Sequence, residues 1–220
     1  MKIDWFRLSL LGNLTAAREY LEAMTAAVPH LRDQAALKVK EQATRENWEY
    51  PDYDCAMQEV ASLFEFSMPA ILAQSFIVYL HSSLERSLAD VAKDVRRSRK
   101  LALKHNEVAG SPIERSRLYL SKVAGVGVAD LPGWGILRDI ARVRDVVVHR
   151  GGQLGTNASE RESLRELSLR VGGLVTASYG WDRPDSDLEF GASFCRYAVE
   201  SAYTFFESLL DRTRGDPESA

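Results

Sequence analysis

The apolar stripe between about residues 70 and 98 is the feature that most constrains the fold of this chain. Large aliphatic side chains recur there at three- and four-residue steps, at Ile77, Leu80, Leu84, Leu88, Val91 and Val95. Steps of this kind place the side chains along one side of a long α-helix. Such a helix needs other elements to cover its stripe, and most of the remaining chain has the same periodicity. The sequence therefore predicts an all-α fold.

Prolines and polar runs divide the N-terminal part of the chain. The helical pattern covers residues 4–28 and 30–48, and we place the boundary between these two helices at Pro29. The segment "ENWEYPDYD" (46–54) has the composition of a loop. A short helix is expected over 55–66.

Helix start signals follow in two places. Ser67 is a candidate cap for the long helix, and Pro69 suits the first turn of that helix. In "SPIE", Ser111 is expected to cap a helix that runs to about 124, and Glu114 completes a capping box. The basic run "RRSRK" closes the long helix, since cations favour a helix C-terminus.

The C-terminal part combines two helices with a short sheet. A helix is predicted over about 134–150, and Gly151 supplies its left-handed cap. The pair Gly172-Gly173 lies between two alternating segments, which predicts a small β-hairpin at 167–178. An amphipathic last helix is expected over about 190–212, after a polar loop that contains Pro184.

Composition favours an intracellular protein without a membrane span. The 220 residues are 45% hydrophobic and 27% charged, and the net charge of −3 does not predict bulk attraction to nucleic acid. Cys55 and Cys195 are interpreted as reduced core thiols, because two cysteines are too few for a disulfide framework. The apolar run 69–80 is too short to cross a bilayer, so we expect a cytoplasmic protein.

One charged residue breaks the amphipathic pattern of the helix over 134–150. On a helical wheel, Arg144 falls within a wide apolar arc formed by Ile136, Leu137, Ile140, Val143, Val147 and Val148. A separate polar stripe contains Arg138, Arg142, Asp145 and His149. A buried guanidinium requires a partner, and helical angle favours Glu85 on the long helix. A purely structural ion pair, or an arginine that reaches solvent, explains the same pattern.

His149 also has two interpretations. A cation before Gly151 is an ordinary helix stop. Alternatively, His149 carries chemistry together with Arg144, with Asp145 one turn earlier in position to orient the imidazole. The two side chains point about 140° apart on one helix, so a cleft at a two-fold axis would bring two sets together.

At these residues the chain resembles the HEPN superfamily (higher eukaryotes and prokaryotes nucleotide-binding), whose motif is R-x4-6-H. The segment "RDVVVHR" supplies Arg144, the polar Asp145 and His149 with the four-residue spacing. The order of a long helix, a helix ending in the motif, a hairpin and a final helix is also similar. The resemblance covers roughly 70–212, and it implies a HEPN-like antiparallel helical bundle with extra N-terminal helices. The domain organisation expected from it is an extension over 1–66, a HEPN-like domain over 67–213 and a disordered tail over 214–220.

The resemblance implies a metal-independent endoribonuclease without a cofactor, active as a homodimer in bacterial defence or with an antitoxin. Its cleft would lie at the two-fold axis. His149 would transfer the proton, Arg144 would stabilise the phosphate, Asp145 would orient, and Glu85 would support them from the long helix. The alternative is a non-catalytic HEPN-type dimeric module that binds a partner or a nucleotide, with Arg144 in a structural ion pair.

Several further residues are weaker candidates. Four arginines could contact RNA phosphates: Arg96, Arg97, Arg142 and Arg150. For the basic run 96–105 a solvated helix end is the more common explanation. His81 and Glu85 are one turn apart, but two ligands are too few for a metal site, and a polar pair is the favoured interpretation. Three aromatic residues could stack on bases or pack in the protein: Trp134, Tyr179 and Trp181.

Overall fold

The computed structural model describes residues 4–177 and 187–214, and it has the predicted all-α architecture with one small hairpin before the last helix. The helices are α1 (Trp5–Glu46), α2 (Tyr50–Ser62), α3 (Met68–Arg99), α4 (Pro112–Leu118), α5 (Trp134–Arg150), α6 (Ala158–Arg170) and α7 (Ala192–Arg214). The strands are β1 (Leu174–Ala177) and β2 (Asp187–Phe190). The loop with Pro184 and all but the first residue of the predicted tail 214–220 lie outside the described residues.

Pro29 does not end a helix, so the predicted boundary between two N-terminal helices is wrong. Pro29 lies inside the continuous α1. Proline removes one backbone donor and clashes with the preceding turn, at a cost of about 3 kcal/mol in a helix interior. The residues on either side are rich in Ala, Leu, Glu, Lys and Arg, which are strong helix formers. Helix continues through the proline because the sequence supports it from both sides.

The second N-terminal prediction also needs correction. The loop predicted over 46–54 ends earlier, because α2 begins at Tyr50 with Pro51 in its first turn. A single π-helical turn, Leu63–Ser67, then joins α2 directly to α3. Ser67 therefore does not cap the long helix, since the backbone is helical on both sides of it.

The start of α4 lies at the predicted position, but the predicted capping box is absent. Ser111 has the extended backbone of an N-cap, yet its side chain makes no cap hydrogen bond. The Glu114 carboxylate instead accepts from Arg117 one turn later, with 2.8 Å between Arg117 Nε and Glu114 Oε2. The helix beyond α4 is completed by a π-helical turn, Tyr119–Val123.

The hairpin forms later in the chain than the sequence predicts. Residues up to Arg170 belong to α6, and β1 pairs with β2 in antiparallel register, with Leu174 opposite Phe190. The predicted strand before Gly172 is wrong because that segment is helical. Asn157 caps α6 by accepting hydrogen bonds from two backbone N–H groups, and Leu164 and Leu167 are buried at helical spacing.

The chain divides into two compact units that interleave along the sequence. Within the described residues, the first unit comprises 4–18, 77–153 and 196–214, and the second comprises 19–76, 154–177 and 187–195. The predicted division into 1–66, 67–213 and a tail is not decided by these units and stays a prediction.

Each unit buries its own set of apolar side chains. The first unit contains the predicted stripe of α3, from Ile77 to Val95, and all six of its residues are buried. In this unit α1 and α7 run antiparallel, because Arg7 pairs with Asp211 and Arg18 pairs with Glu200. The second unit buries these side chains: Leu21, Ala73, Phe76, Leu164, Leu167, Leu174, Leu188, Phe194 and Cys195. Cys195 is a core thiol as predicted, whereas Cys55 is exposed.

One helical stretch, Tyr50–Arg99, is long and apolar enough to cross a membrane by length and composition. An 18-residue window within it has a mean hydropathy of 1.5, and 22% of that window is buried. Core helices of soluble proteins meet the same criteria, and the predicted cytoplasmic location stays a prediction.

Candidate functional site

The helix α5 begins and ends at glycines whose backbone is left-handed. Gly133 precedes it with a φ of 81°, and Gly151 follows it with a φ of 60°. The N–H of Gly151 bonds to the carbonyls of Val146 and Val147, which confirms the predicted cap. At the other end, a Cβ at Gly133 would lie 2.4 Å from the carbonyl oxygen of Ser201 in α7. Both glycines are therefore required by geometry.

The apolar arc of α5 is narrower than the sequence predicts. Val148 is 45% exposed, although the wheel includes it in the arc. Conversely, Asp139 is buried, and its Oδ1 accepts a hydrogen bond from Arg142 Nη1 at 3.1 Å. The buried carboxylate is a residue that sequence reasoning missed, because Asp139 falls between apolar positions and no motif marks it.

Arg144 lies at the edge of this arc and is only partly buried. Its side chain is 30% exposed, and Nη1 donates to the carboxylate of Asp145 at 2.8 Å. Its Nε is buried and has no hydrogen-bond partner among the described residues. A buried guanidinium nitrogen without a partner is costly. Nη2 makes no hydrogen bond to a described residue and is not buried, so it is the nitrogen of Arg144 that can donate to an incoming acceptor.

His81 of α3 is a buried titratable residue on which Arg144 acts electrostatically. The residue is 6% exposed, its Nε2 lies 3.8 Å from Glu85 Oε1, and its Nδ1 is buried without a described partner. Burial lowers the pKa of His81 below its ordinary value. The Arg144 charge lowers that pKa further, whereas the carboxylates of Glu85 and Asp145 act against the shift.

These interactions bring four charged or titratable side chains together, two from α3 and two from α5. We call His81, Glu85, Arg144 and Asp145 the ionic cluster, because all three of the others act electrostatically on His81. The predicted ion pair between Arg144 and Glu85 is wrong: Arg144 pairs with Asp145, and Glu85 lies beside His81. The guanidinium bonds to the carboxylate of the next residue in the sequence, Asp145. The polar pairing of His81 with Glu85 is confirmed.

His149 lies outside the ionic cluster. It is exposed in the last turn of α5, where a cation interacts favourably with the helix dipole. No hydrogen bond joins it to Asp145 within the part of the chain that the structure describes. Asp145 instead bonds to Arg144, so the predicted orienting contact with His149 is not made in this single chain.

The four arginines predicted to contact RNA have different environments. Arg97 is exposed on the last turn of α3, and Arg142 is 46% exposed but bonded to Asp139. Arg96 and Arg150 are half-buried, and Arg96 Nε is buried. Of these four arginines, Arg97 and Arg142 are exposed, and Arg142 is engaged with Asp139.

Of the three aromatic candidates, the structure describes one. Trp134 is buried and packs against Phe205 of α7, with 5.8 Å between ring centroids, so it belongs to the core. Tyr179 and Trp181 lie outside the described residues.

The position of His81 carried a signal that sequence reasoning underused. It follows Leu80 directly and lies between Ile77 and Leu84 on the buried stripe of α3. A histidine inside such a stripe must be buried, and a carboxylate one turn later gives it a partner. The sequence did not show that Arg144 and Asp145 of α5 come close enough to act electrostatically on His81.

Comparison of the chain with protein-family models, with curated proteins and with solved structures finds no match. The class defined by the structure is an all-α protein with a two-stranded hairpin and a half-buried ionic cluster between α3 and α5.

Proposed function

We propose that this protein is a metal-independent endoribonuclease that cleaves RNA by attack of the 2′-hydroxyl on the adjacent phosphorus. The observation that carries the proposal is the half-buried Arg144, with one nitrogen unpartnered, five residues before an exposed histidine at the end of the same helix. Guanidinium binds phosphate bidentately, and histidine transfers protons near neutral pH. The resemblance of "RDVVVHR" to the R-x4-6-H motif supports the same reaction.

The reaction needs one base, one acid and charge stabilisation. His149 removes the proton from the 2′-hydroxyl, the oxygen forms a bond to phosphorus, and the bond from phosphorus to the 5′-oxygen breaks. The departing 5′-oxygen takes up a proton from water, and His149 afterwards returns the proton that it removed to the solvent. The products are a 2′,3′-cyclic phosphate and a 5′-hydroxyl. Arg144 offsets the charge that develops on the phosphate oxygens, and Asp145 and Glu85 hold the cluster in place.

The arrangement on one chain supports a homodimeric enzyme. Five residues of α-helix separate Arg144 from His149 by about 7.5 Å along the axis and by about 140° around it. One helix does not direct both side chains at one phosphate. In a symmetric dimer, the histidine of one protomer and the arginine of its partner can face the same cleft. We extend the proposal to a role in bacterial defence or in a toxin–antitoxin pair, in which an antitoxin or another system component restrains the enzyme.

Incubation of the purified protein with total RNA in the presence of EDTA tests the reaction. We expect the wild-type protein to produce fragments with 2′,3′-cyclic phosphate ends, and His149→Ala to produce none. EDTA should leave the activity unchanged because the proposed step uses only side chains.

His30→Ala is a matched control, because His30 is an exposed histidine on α1 in the other compact unit. This variant should cleave like the wild type. Fragments with the same ends from His149→Ala would contradict the assigned role, and intact RNA with the wild-type protein would contradict the function.

A second candidate is a non-catalytic dimeric module that binds a partner or a nucleotide. The ion pair between Arg144 and Asp145 favours it, because a guanidinium already engaged at 2.8 Å can serve structure alone. Under this alternative, Arg144→Ala lowers the melting temperature, and RNA stays intact in the presence of the wild-type protein. The cleavage experiment separates the two candidates.

A further inference from the structure

A polar groove lies between α1 and α3 in the first compact unit, outside the ionic cluster. Its volume is about 260 Å³. Its walls carry five polar side chains from hydroxyl and amide residues together with one arginine: Ser9, Asn13, Ser82, Ser83, Ser87 and Arg86. Phe6, Leu10, Tyr79 and Asp90 complete the lining. A groove with this many hydrogen-bonding side chains suits a ligand that carries polar groups.

Arg86 supplies the cation of the groove. It is exposed, and within residues 4–177 and 187–214 it has no ion pair or hydrogen bond. Asp90 is the carboxylate of the lining, and it is bonded to Lys93 at 2.8 Å. Because Lys93 offsets the charge of Asp90, the positive charge of Arg86 is left to attract an anion.

The hydroxyl and amide groups extend the site beyond one ionic contact. Ser87 is only 8% exposed, yet its hydroxyl bonds to none of the residues that the structure describes. The side chains of Asn13, Ser9 and Ser83 also make no hydrogen bond to another described residue. Ser82 is the exception, since its hydroxyl donates to the Val78 carbonyl. Tyr79 adds a half-exposed aromatic face at the rim, on which a base can stack.

The groove and the ionic cluster occupy neighbouring sides of one helix. Ser82 directly follows His81, and Arg86 directly follows Glu85. Successive residues of an α-helix are about 100° apart, so the two sites lie at the same height on α3 and face different directions. A chain-like ligand held at the cluster can therefore continue around α3 into the groove.

We propose that this groove binds the backbone of single-stranded RNA, with one phosphate on Arg86 and the ribose hydroxyls on Asn13 and the serines. The inference rests on the proposed function, because it assigns a second contact to the same substrate. Phosphate recognised by arginine, hydroxyls recognised by small polar side chains and a base stacked on Tyr79 together make the ligand a nucleotide strand.

Fluorescence anisotropy with a labelled single-stranded oligoribonucleotide tests the groove. The full chain carries His149→Ala, so that the RNA stays intact, and binding is measured with and without Arg86→Ala at several salt concentrations. One phosphate contact to a single strand contributes a slope of about 0.7 in log K against log salt, which equals about fivefold in affinity at 0.1 M salt. We expect Arg86→Ala to raise Kd by about that factor and to lower the slope by about 0.7.

Two further variants control the measurement. Arg86→Lys keeps the charge and should recover part of the lost affinity. Arg45→Ala removes an exposed arginine of α1 in the other unit, which pairs with Glu46, and it should leave Kd unchanged. Thermal melting of each variant verifies that the fold is intact.

Each result decides the inference separately from the proposed function. A weakened Arg86→Ala complex supports the groove even if the wild-type protein does not cleave RNA. Cleavage by the wild type with an unchanged Kd for Arg86→Ala overturns the groove and leaves the enzyme standing. The absence of any RNA binding also overturns it. If adenosine monophosphate binds as tightly as the oligoribonucleotide and depends equally on Arg86, the ligand is a free phosphorylated metabolite, and the strand proposal fails.

Discussion

Arg144 and His149 lie on the same helix five residues apart, yet their environments differ in almost every respect. Arg144 is half-buried, bonded to Asp145 and close enough to His81 of another helix to act on it electrostatically. His149 is exposed and has no described hydrogen bond. A sequence motif presents the two residues as equivalent members, whereas in the structure Arg144 is half-buried and His149 is exposed.

The difference teaches which property each residue can contribute. A half-buried side chain that is also bonded to a neighbour has restricted freedom, which favours the preorganisation that charge stabilisation requires. A side chain on open surface can meet a ligand or a second protomer without disturbing the fold. Substitution of Arg144 should therefore affect stability and activity together, and substitution of His149 should affect activity alone. The predictions below test that separation.

The largest expected effect is on cleavage by His149→Ala. Loss of a proton-transfer group typically lowers a rate by a factor of about 100 or more. Because His149 is exposed, the free energy of unfolding should change by less than about 0.5 kcal/mol. Parallel measurement of cleavage rate and chemical denaturation checks both halves. A variant that unfolds at clearly lower denaturant concentration would show that His149 is structural after all.

The second prediction concerns Arg144→Ala, for which we expect loss of both properties. The variant removes a partly buried stem and leaves Asp145 without its partner, so stability should fall by about 1 kcal/mol. Cleavage should fall as strongly as in His149→Ala. Arg144→Lys should restore the stability more than the activity, because lysine lacks the bidentate fork. Equal recovery of both would remove the basis for a phosphate contact.

A third prediction concerns buried His81 and the pH dependence of the free energy of unfolding. Burial lowers the pKa of His81 in the folded protein, so the unfolded chain takes up a proton first as the pH falls below about 6.5. The stability conferred by neutral His81 is present above that pH and is lost as the pH falls toward the folded pKa. His81→Gln should therefore make the free energy of unfolding less dependent on pH between 7.5 and 5.

His105 needs to be separated from this effect. Burial lowers its pKa too, and its Nε2 lies 2.8 Å from the Ser116 hydroxyl. The His105→Gln variant should flatten the pH dependence independently, and the double variant should flatten it further. An unchanged pH dependence in His81→Gln would mean that His81 is not protonated differently on unfolding.

The smallest expected effect comes from Asp145→Asn. The ion pair of Asp145 with Arg144 is largely exposed on the aspartate side, and such pairs contribute at most about 1 kcal/mol. We expect a slight decrease in melting temperature and a modest decrease in cleavage. A loss as large as that of His149→Ala would instead show that Asp145 orients His149 within the assembled enzyme.

The sequence predicted the parts of the fold that depend on local patterns. The bounds of α5, its glycine cap, the buried stripe of α3 and the last helix all follow from periodicity and end signals. The N-terminal helix break at Pro29 was wrong, because a single proline cannot stop a helix whose flanks are strong helix formers. The hairpin was displaced because the capping of α6 by Asn157 outweighs a short alternating pattern.

The candidate site was only partly predictable for a related reason. Arg144, Asp145, Glu85 and the pairing of His81 with Glu85 could be identified on helical wheels. Which of these side chains interact depends on the relative positions of α5 and α3, and neither segment determines those positions alone. Arg86 and the hydroxyl groups around it were missed because serines along a helix form no recognisable motif.

The close approach of Gly133 to the carbonyl of Ser201 has a consequence for genetics. In a screen for inactive variants, codon 133 should be recovered as readily as codon 149, although it encodes no reactive group. Almost any replacement forces α7 away from the start of α5, so these alleles should yield insoluble protein, whereas alleles at codon 149 should yield soluble protein. Solubility profiling of the recovered alleles would thus sort scaffold positions from reactive ones without any assay of chemistry.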